Sequence, residues 1–186
     1  IMQMDEGLDT GDMLLKATCD ICAQDTSASI YEKLAVLGPK ALLETLTLMA
    51  GNAHQVEAQN NELATYAAKL TKDEAELNWQ LSAKQLHQKL RSYIPWPVAQ
   101  FTFTDNKNQQ HRIRTWQASI VESNHIELPG TILSVDKSGV TVATGEQALK
   151  LENLQLPGKK ALSFSDILNG RADWFTIGQS INGLSE

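Results

Sequence analysis

The spacing of apolar residues changes at Pro95-Trp96-Pro97, and this change limits what the chain can fold into more than any other feature. Before it, apolar side chains recur at helical spacing. After Val98 they alternate with polar ones, as Phe101 and Phe103 alternate with threonines, which is typical of strands. Because proline disfavours helix in the residue before it, the preceding helix must end before Pro95. The sequence therefore predicts a helical first part and a β-rich second part.

A long helical region dominates the first part. Asp25-Thr26-Ser27 is a helix start and Gly51-Asn52 a helix end. Gly38-Pro39 interrupts the pattern and predicts a kink or two helices in line. The apolar stripe between these ends needs a sheet to pack on, which the rest of the first part is too short to supply.

An acidic loop at Asp9-Thr10-Gly11 lies between two short apolar runs, Ile1–Met4 and Met13–Leu15. This pattern predicts strand, loop and strand. Since the chain begins inside an apolar run, we expect a fragment. Residues 1–54 are then the end of a larger α/β domain whose start lies upstream.

Residues 55–73 lack an apolar period and are predicted to form a linker. Two capping boxes follow, Thr71–Glu74 and Ser82–Gln85, and each predicts the start of a short helix. The second helix is expected to run to about Tyr93.

The second part, residues 74–186, shows four to six short strands and two changes of phase. Ile113 is out of phase with the apolar residues after it, which predicts a bulge near Thr115, and the leucines of Ala148–Leu156 change phase as well. A hairpin is expected around Asp136–Gly139, and a last helix from Ser163 to Gly170. Phase changes let strands turn corners, so the pattern favours a small closed or half-closed barrel.

The formal net charge of −6 is concentrated in the first part. Residues 1–73 contain 5 Lys and 11 Asp or Glu, a net of −6, and residues 74–186 balance 11 basic against 11 acidic residues. This asymmetry indicates two modules with different partners. No apolar run approaches the roughly 20 residues of a membrane helix, and no signal peptide is visible.

Two cysteines, Cys19 and Cys22, have the C-x-x-C spacing of zinc and redox sites. A zinc site needs a second pair of ligands, and the four histidines lack the matching spacing. A redox pair belongs at a helix N-terminus, whereas the next helix begins near Ser27. Ordinary thiols in a reducing compartment are the favoured interpretation.

The Asp9-Thr10-Gly11 stretch has three interpretations from its residues alone. It can be a plain turn, because Asp and Gly favour turns. It can present a carboxylate base to a cleft. It can also be half of an aspartic-protease dyad, although Asp12 follows the glycine and no second motif occurs within the chain.

Basic side chains of the second part and its border could follow a phosphate backbone, or could simply be solvated. The candidates are Lys69, Lys72, Lys84, Lys89, Arg91, Lys159 and Lys160.

Several motifs in order resemble the methionyl-tRNA formyltransferase family, and the resemblance covers essentially the whole chain. They are Ile1–Leu14, Thr65–Leu70, Ala75–Trp79, Ile94–Pro97, Pro129–Ile132 and Pro157–Lys160. Asn78 stands where the family is expected to have Asp, and Gln88 where it often has a basic residue.

The resemblance implies the tail of a Rossmann-like catalytic domain, a linker and a small OB-like barrel with short helices. It implies formyl transfer from 10-formyltetrahydrofolate to the amine of methionyl initiator tRNA, without a metal. Asp9 matches the catalytic Asp, whose partner Asn and His lie upstream. The resemblance also implies folate contacts, mostly from backbone, at Asp5, Glu6, Gly7 and Leu8, and tRNA contacts at the seven basic residues above.

Two other functions remain open at this point: formyl transfer to another amine, such as a nucleotide amino sugar, and a non-catalytic RNA-binding barrel. For the resembled enzyme we expect a cytoplasmic monomer, and a fragment that is inactive alone.

Overall fold

The chain divides into two compact units in the computed structural model, which describes residues 1–171 and 173–181. The first unit is Ile1–Lys69 and the second begins at Leu70. Each unit has its own internal packing and is described separately below. None of the helices in the described ranges is long and apolar enough to cross a membrane.

Helices precede the strands along most of the chain, in agreement with the change from helical to alternating spacing of apolar residues. They are α1 (Ser27–Ala50), α2 (Ala83–Ser92), β1 (Gln100–Thr104), β2 (Gln110–Val121), β3 (Ile132–Asp136), β4 (Gly139–Ala143), β5 (Ala148–Gln155), β6 (Leu162–Ser163) and α3 (Phe164–Gly170). Two 3₁₀-helices, Asn61–Leu63 and Asp73–Ala75, precede α2.

Helix α1 begins and ends where the sequence predicts. The Thr26 hydroxyl accepts a hydrogen bond from the Ser29 N–H at 3.3 Å, and the Ser29 hydroxyl accepts one from the Thr26 N–H at 3.0 Å. Gly51 caps the other end. Pro39 lies inside one continuous helix, so the prediction of two helices in line is wrong. The proline removes one backbone donor, and the turns on both sides hold the helix together.

The acidic loop is flanked by isolated bridges, so the prediction of two strands is wrong. Met13 bridges Met2 on one side and Glu57 on the other, and the Gln3 N–H donates to the Asp12 carbonyl at 2.9 Å. A two-stranded ribbon is marginal in water without a further layer to cover it. The bridges are antiparallel, and each extends over a single pair of residues.

A six-stranded antiparallel sheet organises the second unit and curls into a half-barrel. Its order is β1-β2-β5-β4-β3, and β6 pairs with the free part of β5. The β3–β4 hairpin around Asp136–Gly139 confirms the sequence prediction. Strands β1 and β3 are the two ends of this order.

The two predicted phase changes lie opposite each other on neighbouring strands. In β2 the pairing shifts between Thr115 and Ala118, and in β5 the partners shift from Leu154 to Leu151. Thr115, Ala118, Leu151 and Leu154 are all buried, although each pair has an odd spacing. Both strands therefore move the same distance and keep one apolar face toward the core, which confirms the bulge predicted near Thr115.

Helix α2 covers this core and begins with the predicted capping box. The Ser82 hydroxyl accepts from the Gln85 backbone N–H at 3.3 Å, while the side-chain amide oxygen of Gln85 accepts from the Ser82 backbone N–H at 3.0 Å. Its own residues Leu86 and Leu90 face the core and are fully buried. The box predicted at Thr71 is only half formed, because the Glu74 carboxylate accepts from the Thr71 N–H at 2.9 Å but a 3₁₀-turn follows.

Candidate functional site

A tight, hydrogen-bonded loop presents Asp9 at the surface of the first unit. The Asp5 carboxylate accepts from the Gly7 N–H at 2.9 Å and from the Thr10 hydroxyl at 2.6 Å. Asp5 therefore closes the loop internally. Asp9 itself has φ 56°, in the left-handed region that Asp tolerates better than most residues.

Close backbone packing explains why the loop needs its glycines. A Cβ on Gly11 would lie 1.7 Å from the Gln3 carbonyl oxygen, and one on Gly7 would lie 2.2 Å from the Thr10 hydroxyl. Gly11 is also one of the few buried residues of the first unit. The Asp9-Thr10-Gly11 stretch is therefore a shaped loop packed against the segment before it.

Gln59 braces this loop from a distant part of the chain. Its side-chain amide nitrogen donates to the Asp9 carbonyl at 2.8 Å and to the Gly11 carbonyl at 2.7 Å. These two bonds hold the backbone on both sides of Thr10. The sequence pattern predicts a linker at Gln59 and does not indicate this role. The polar run around it was the only signal, since nothing local connects it to residue 9.

A cleft of about 720 Å³ lies beside the loop within the first unit. Leu8 and Asp9 line one side, and Leu63 and Tyr66 line the other. Leu8 is 81% exposed and Tyr66 is 87% exposed, so flat apolar surface is available to a planar ring. Of the four predicted folate contacts, Leu8 lies in the lining, whereas Asp5, Glu6 and Gly7 lie outside it.

The carboxylate of Asp9 is exposed and makes no hydrogen bond to another described residue. A free carboxylate at the edge of a cleft can accept a proton or orient a water for a reacting group. Its backbone is fixed by Gln59, so the side chain projects from a rigid position. The geometry suits a base that acts on a ligand in the cleft.

Metal and thiol chemistry have no assembled site among the described residues. No group of three or more His, Cys, Asp or Glu side chains there is placed to hold a metal ion. Cys19 and Cys22 are both free thiols, the first half-buried and the second exposed.

The basic residues predicted on α2 differ in their surroundings. Lys84 is exposed on the first turn, whereas Lys89 donates to the Glu76 carbonyl at 2.8 Å and lies 5.7 Å from the centre of the Tyr93 ring. Burial lowers the pKa of the Lys89 ammonium. Arg91 is half-buried. Lys84 is thus the α2 cation most open to a ligand, and Lys89 supports the fold.

The remaining predicted cations are exposed. Lys159 and Lys160 lie in the turn between β5 and β6, and the Lys159 carbonyl accepts from the Gln155 side-chain amide at 2.8 Å. Lys69 ends the first unit and Lys72 lies near the start of the second. The second unit therefore offers Lys72, Lys84, Lys159 and Lys160 at its own surface.

Two family matches together cover most of the chain. Residues 69–172 match the family described as "Formyl transferase, C-terminal domain", and residues 1–46 match the family described as "Formyl transferase". The first match alone includes more than half of the chain. This protein therefore belongs to the formyl transferase family.

A curated relative agrees with this assignment. The chain is 62% identical over 188 aligned residues to the methionyl-tRNA formyltransferase of Colwellia psychrerythraea strain 34H. The alignment covers 99% of this chain and 58% of the relative. The chain thus spans somewhat more than half the length of that protein.

Solved structures of low sequence identity share the fold. HypX from Aquifex aeolicus in complex with tetrahydrofolic acid is 16% identical with a TM-score of 0.65, covering 94% of this chain and 30% of that one. The sugar 3N-formyl transferase WlaRD, solved with dTDP and 5-N-formyl-THF, is 14% identical with a TM-score of 0.59 over 86% of this chain and 54% of that one.

Proposed function

We propose that this chain is part of an enzyme that transfers a formyl group from 10-formyltetrahydrofolate to the amino group of methionyl initiator tRNA. The observation that carries the proposal is the 62% identity, along almost the whole chain, to a methionyl-tRNA formyltransferase. The chain alone is proposed to be inactive, because it spans 58% of that relative and does not contain the His and Asn of the family's catalytic set.

Asp9 is the proposed catalytic residue of this chain. The attacking amine must lose a proton as its nitrogen bonds to the formyl carbon, and a carboxylate within reach accepts that proton directly or through a water. The formyl oxygen gains negative charge at the same time and needs donors from the upstream part. The bond to the folate nitrogen then breaks, which releases tetrahydrofolate.

The cleft beside Asp9 suits the folate co-substrate. Its volume of about 720 Å³ is in the range of small-molecule sites, and Leu8 and Tyr66 supply exposed apolar surface for a flat ring. We propose that Leu8 contacts the pterin with its side chain. The loop residues Asp5, Glu6 and Gly7 act through the backbone shape that they fix, because the Asp5 carboxylate and the Gly7 N–H are already bonded to each other.

We further propose that residues 1–54 end a Rossmann-like catalytic domain, that residues 55–73 link it onward, and that residues 74–186 form an OB-like tRNA-binding domain. The half-barrel and its exposed lysines support this division. Lys69, Lys72, Lys84, Lys159 and Lys160 are the proposed phosphate contacts, with Lys89 and Arg91 as weaker candidates because they are half-buried. A cytoplasmic monomer is part of the same proposal.

The test replaces Asp9 with Asn in the complete protein and measures formylation of methionyl-tRNA. Loss of a positioned base lowers turnover by about 10²- to 10⁴-fold. Asp12→Asn is the matched control, since Asp12 is an exposed carboxylate in the same loop. Turnover close to the unmodified rate in Asp9→Asn would remove Asp9 from the catalytic set.

A nucleotide amino sugar is the second candidate acceptor, because sugar N-formyltransferases share the fold. Assays with methionyl-tRNA and with a nucleotide amino sugar, run on the same protein, separate the two acceptors. Formylation of the sugar alone would overturn the tRNA proposal. An RNA-binding module without catalysis predicts that neither acceptor is formylated while tRNA still binds.

A further inference from the structure

Two arginines point outward side by side from strand β2. Arg112 and Arg114 are exposed, while Ile113 between them and Thr115 after them are fully buried. Their spacing of two residues places the two side chains on the same face, about 6.6 Å apart along the strand. Neither guanidinium makes an ion pair or hydrogen bond with another described residue.

Uncharged polar residues lie directly opposite this arginine pair on the neighbouring strand β1. Arg112 pairs across the sheet with Thr102, and Arg114 pairs with Gln100. Arg112, Asp73 and Glu76 all line a groove of about 660 Å³. The Glu76 carboxylate accepts from the Thr102 hydroxyl at 3.3 Å, and Glu76 bridges Gln100. The acidic groups therefore border the arginine pair on its β1 side, and its β5 side faces the uncharged Gln155.

The β5 side of the arginine pair leads to the lysine turn. Arg114 lies opposite Gln155 of β5, and the Gln155 side chain donates to the Lys159 carbonyl at 2.8 Å. The Trp116 indole donates to the same Gln155 side chain at 3.0 Å and fixes its orientation. Arg114 and the turn that carries Lys159 and Lys160 are thus connected through one residue.

We propose that Arg112 and Arg114, together with the turn that carries Lys159 and Lys160, form a continuous phosphate-binding track for the RNA backbone. The inference rests on the proposed tRNA-binding function and adds the arginine pair and the path. Arginine suits this use because its planar guanidinium binds phosphate oxygens in pairs and is always charged. The uncharged Gln155 beside Arg114 does not repel phosphates.

The direction of the track follows from the acidic border. Asp73 and Glu76 repel phosphates on the β1 side of the arginine pair. A bound strand is therefore expected to pass the arginines on their β5 side, by Gln155, and to continue to the lysine turn. Such contacts carry no base specificity, so the track holds and orients the RNA without reading its sequence.

The experiment measures binding of an initiator tRNA transcript to the full chain at several salt concentrations between about 50 and 200 mM. The test variant is Arg112→Gln/Arg114→Gln. Arg112→Lys/Arg114→Lys keeps the charge, and Lys107→Gln/Lys137→Gln removes the same charge from two exposed turns elsewhere. Tryptophan fluorescence during urea unfolding confirms that each variant is folded.

The expected result is a loss of two phosphate contacts in the glutamine variant. Its log–log salt slope should fall by about 1.4 to 1.8, and its affinity at 0.1 M salt by roughly 25- to 60-fold. The lysine variant should keep most of the slope, and the turn control should match the unmodified chain.

Other outcomes separate the failure of this inference from the failure of the proposed function. If the glutamine variant binds tRNA as tightly as the unmodified chain, or if the turn control loses as much affinity as the glutamine variant, the track is overturned while tRNA binding stands. If the unmodified chain does not bind tRNA at low salt, both the track and tRNA binding by this region fail. Tighter binding of poly-glutamate than of tRNA, lost in the glutamine variant, would reassign the arginine pair to an acidic protein partner.

Discussion

The two units of this chain bury very different shares of their apolar side chains. In the first unit, Leu34, Leu42, Leu43 and Leu46 of α1 are all at least 46% exposed, and few residues are buried. In the second unit a single cluster includes phenylalanines and leucines from the sheet, α2 and α3, together with Trp79 before α2 and Trp174 after α3. A stable domain needs enough buried apolar area to offset its conformational entropy. The second unit meets this condition within its own residues. The first unit buries few apolar side chains and is held together mainly by hydrogen bonds, such as those from Gln59 to the Asp9 loop.

This difference separates the two halves of the proposed function. The second unit, proposed to bind RNA, has its own core, so its surface charges can be tested in this chain. The first unit, proposed to be catalytic, has a braced loop but little core, so its proposed chemistry is to be tested in the complete protein. All four tryptophans lie in the second unit, and tryptophan fluorescence therefore reports on that unit alone.

The largest predicted effect comes from removing an aromatic ring from the core of the second unit. Phe103 is fully buried, with ring centroids 5.5 Å from Trp174 and 4.9 Å from Phe175. Phe103→Ala should lower the free energy of unfolding of the second unit by about 3–5 kcal/mol, measured in urea by tryptophan fluorescence. Leu46→Ala, at an exposed site in α1, should change the protection of α1 amides by less than about 0.5 kcal/mol. A large effect of Leu46→Ala would show that α1 is covered in solution.

The second prediction concerns the Asp9 loop. Gly11→Ala places a Cβ against the Gln3 carbonyl oxygen and should destabilise the loop by about 1–3 kcal/mol. Hydrogen exchange at the Gln3 amide, which donates to Asp12, measures this loss, while tryptophan fluorescence stays the same. Gly38→Ala is the control, because nothing lies within 4 Å of that position and alanine favours helix. Equal protection of Gln3 in both variants would contradict the packing of the loop.

The third prediction removes the same type of helix cap from each unit. Ser82→Ala should lower the unfolding free energy of the second unit by about 1 kcal/mol, because α2 packs on the core. Thr26→Ala removes a similar cap from α1 and should appear only as faster amide exchange in its first turn. If Thr26→Ala shifts the tryptophan-detected transition, the two units unfold together and the contrast between them is lost.

The smallest predicted effect is a dependence on pH. Burial, followed by the charge of Arg91, lowers the pKa of His87, and a hydrogen bond to the Ala118 backbone and the charge of Glu152 oppose them. The unfolded chain binds a proton near pH 6.5, but the folded unit binds it only at lower pH. Stability of the second unit should therefore decrease as pH falls below about 6.5 and level off below the folded pKa. His87→Gln should flatten this part of the curve, and His54→Gln in the first unit should leave it unchanged.

Local signals in the sequence predict much of this fold. Helix starts at Thr26 and Ser82 follow from side chains that cap the next turn, so three or four neighbouring residues are sufficient. The bulge near Thr115 follows from a phase change within one strand. The β3–β4 hairpin follows from a short polar turn between two apolar runs. Each of these features depends on contacts close in sequence.

Features that depend on distant contacts are harder to predict. The runs around Asp9 have strand composition, but a strand forms only when a neighbouring strand extends along it, and this chain supplies single-residue bridges. Pro39 does not divide α1, because one missing donor is tolerated in a helix of 24 residues. The Thr71 box lacks one of its two bonds because the chain turns into a 3₁₀-helix there.

The candidate site shows the same limit. Asp9 and Leu8 were predicted from the motif and its resemblance to a family, and both line the cleft. Gln59 was missed because its bonds reach back 48 and 50 residues, a distance that carries no local pattern. Arg112 and Arg114 contribute only to the charge balance in the sequence; the proposed role depends on the sheet register, which places Arg112 opposite Thr102 and Arg114 opposite Gln155.

The paired phase changes of β2 and β5 set a rule for insertions and deletions in this protein's relatives. Loss of one residue near Trp116 would reverse the alternation on one side of the bulge, so that Ile113 would face water or Ala118 would leave the core. A compensating loss near Glu152 in β5 would be needed to restore the match. Length changes at these two positions are therefore expected to occur together or not at all, whereas the exposed loop at residues 122–128 can vary independently.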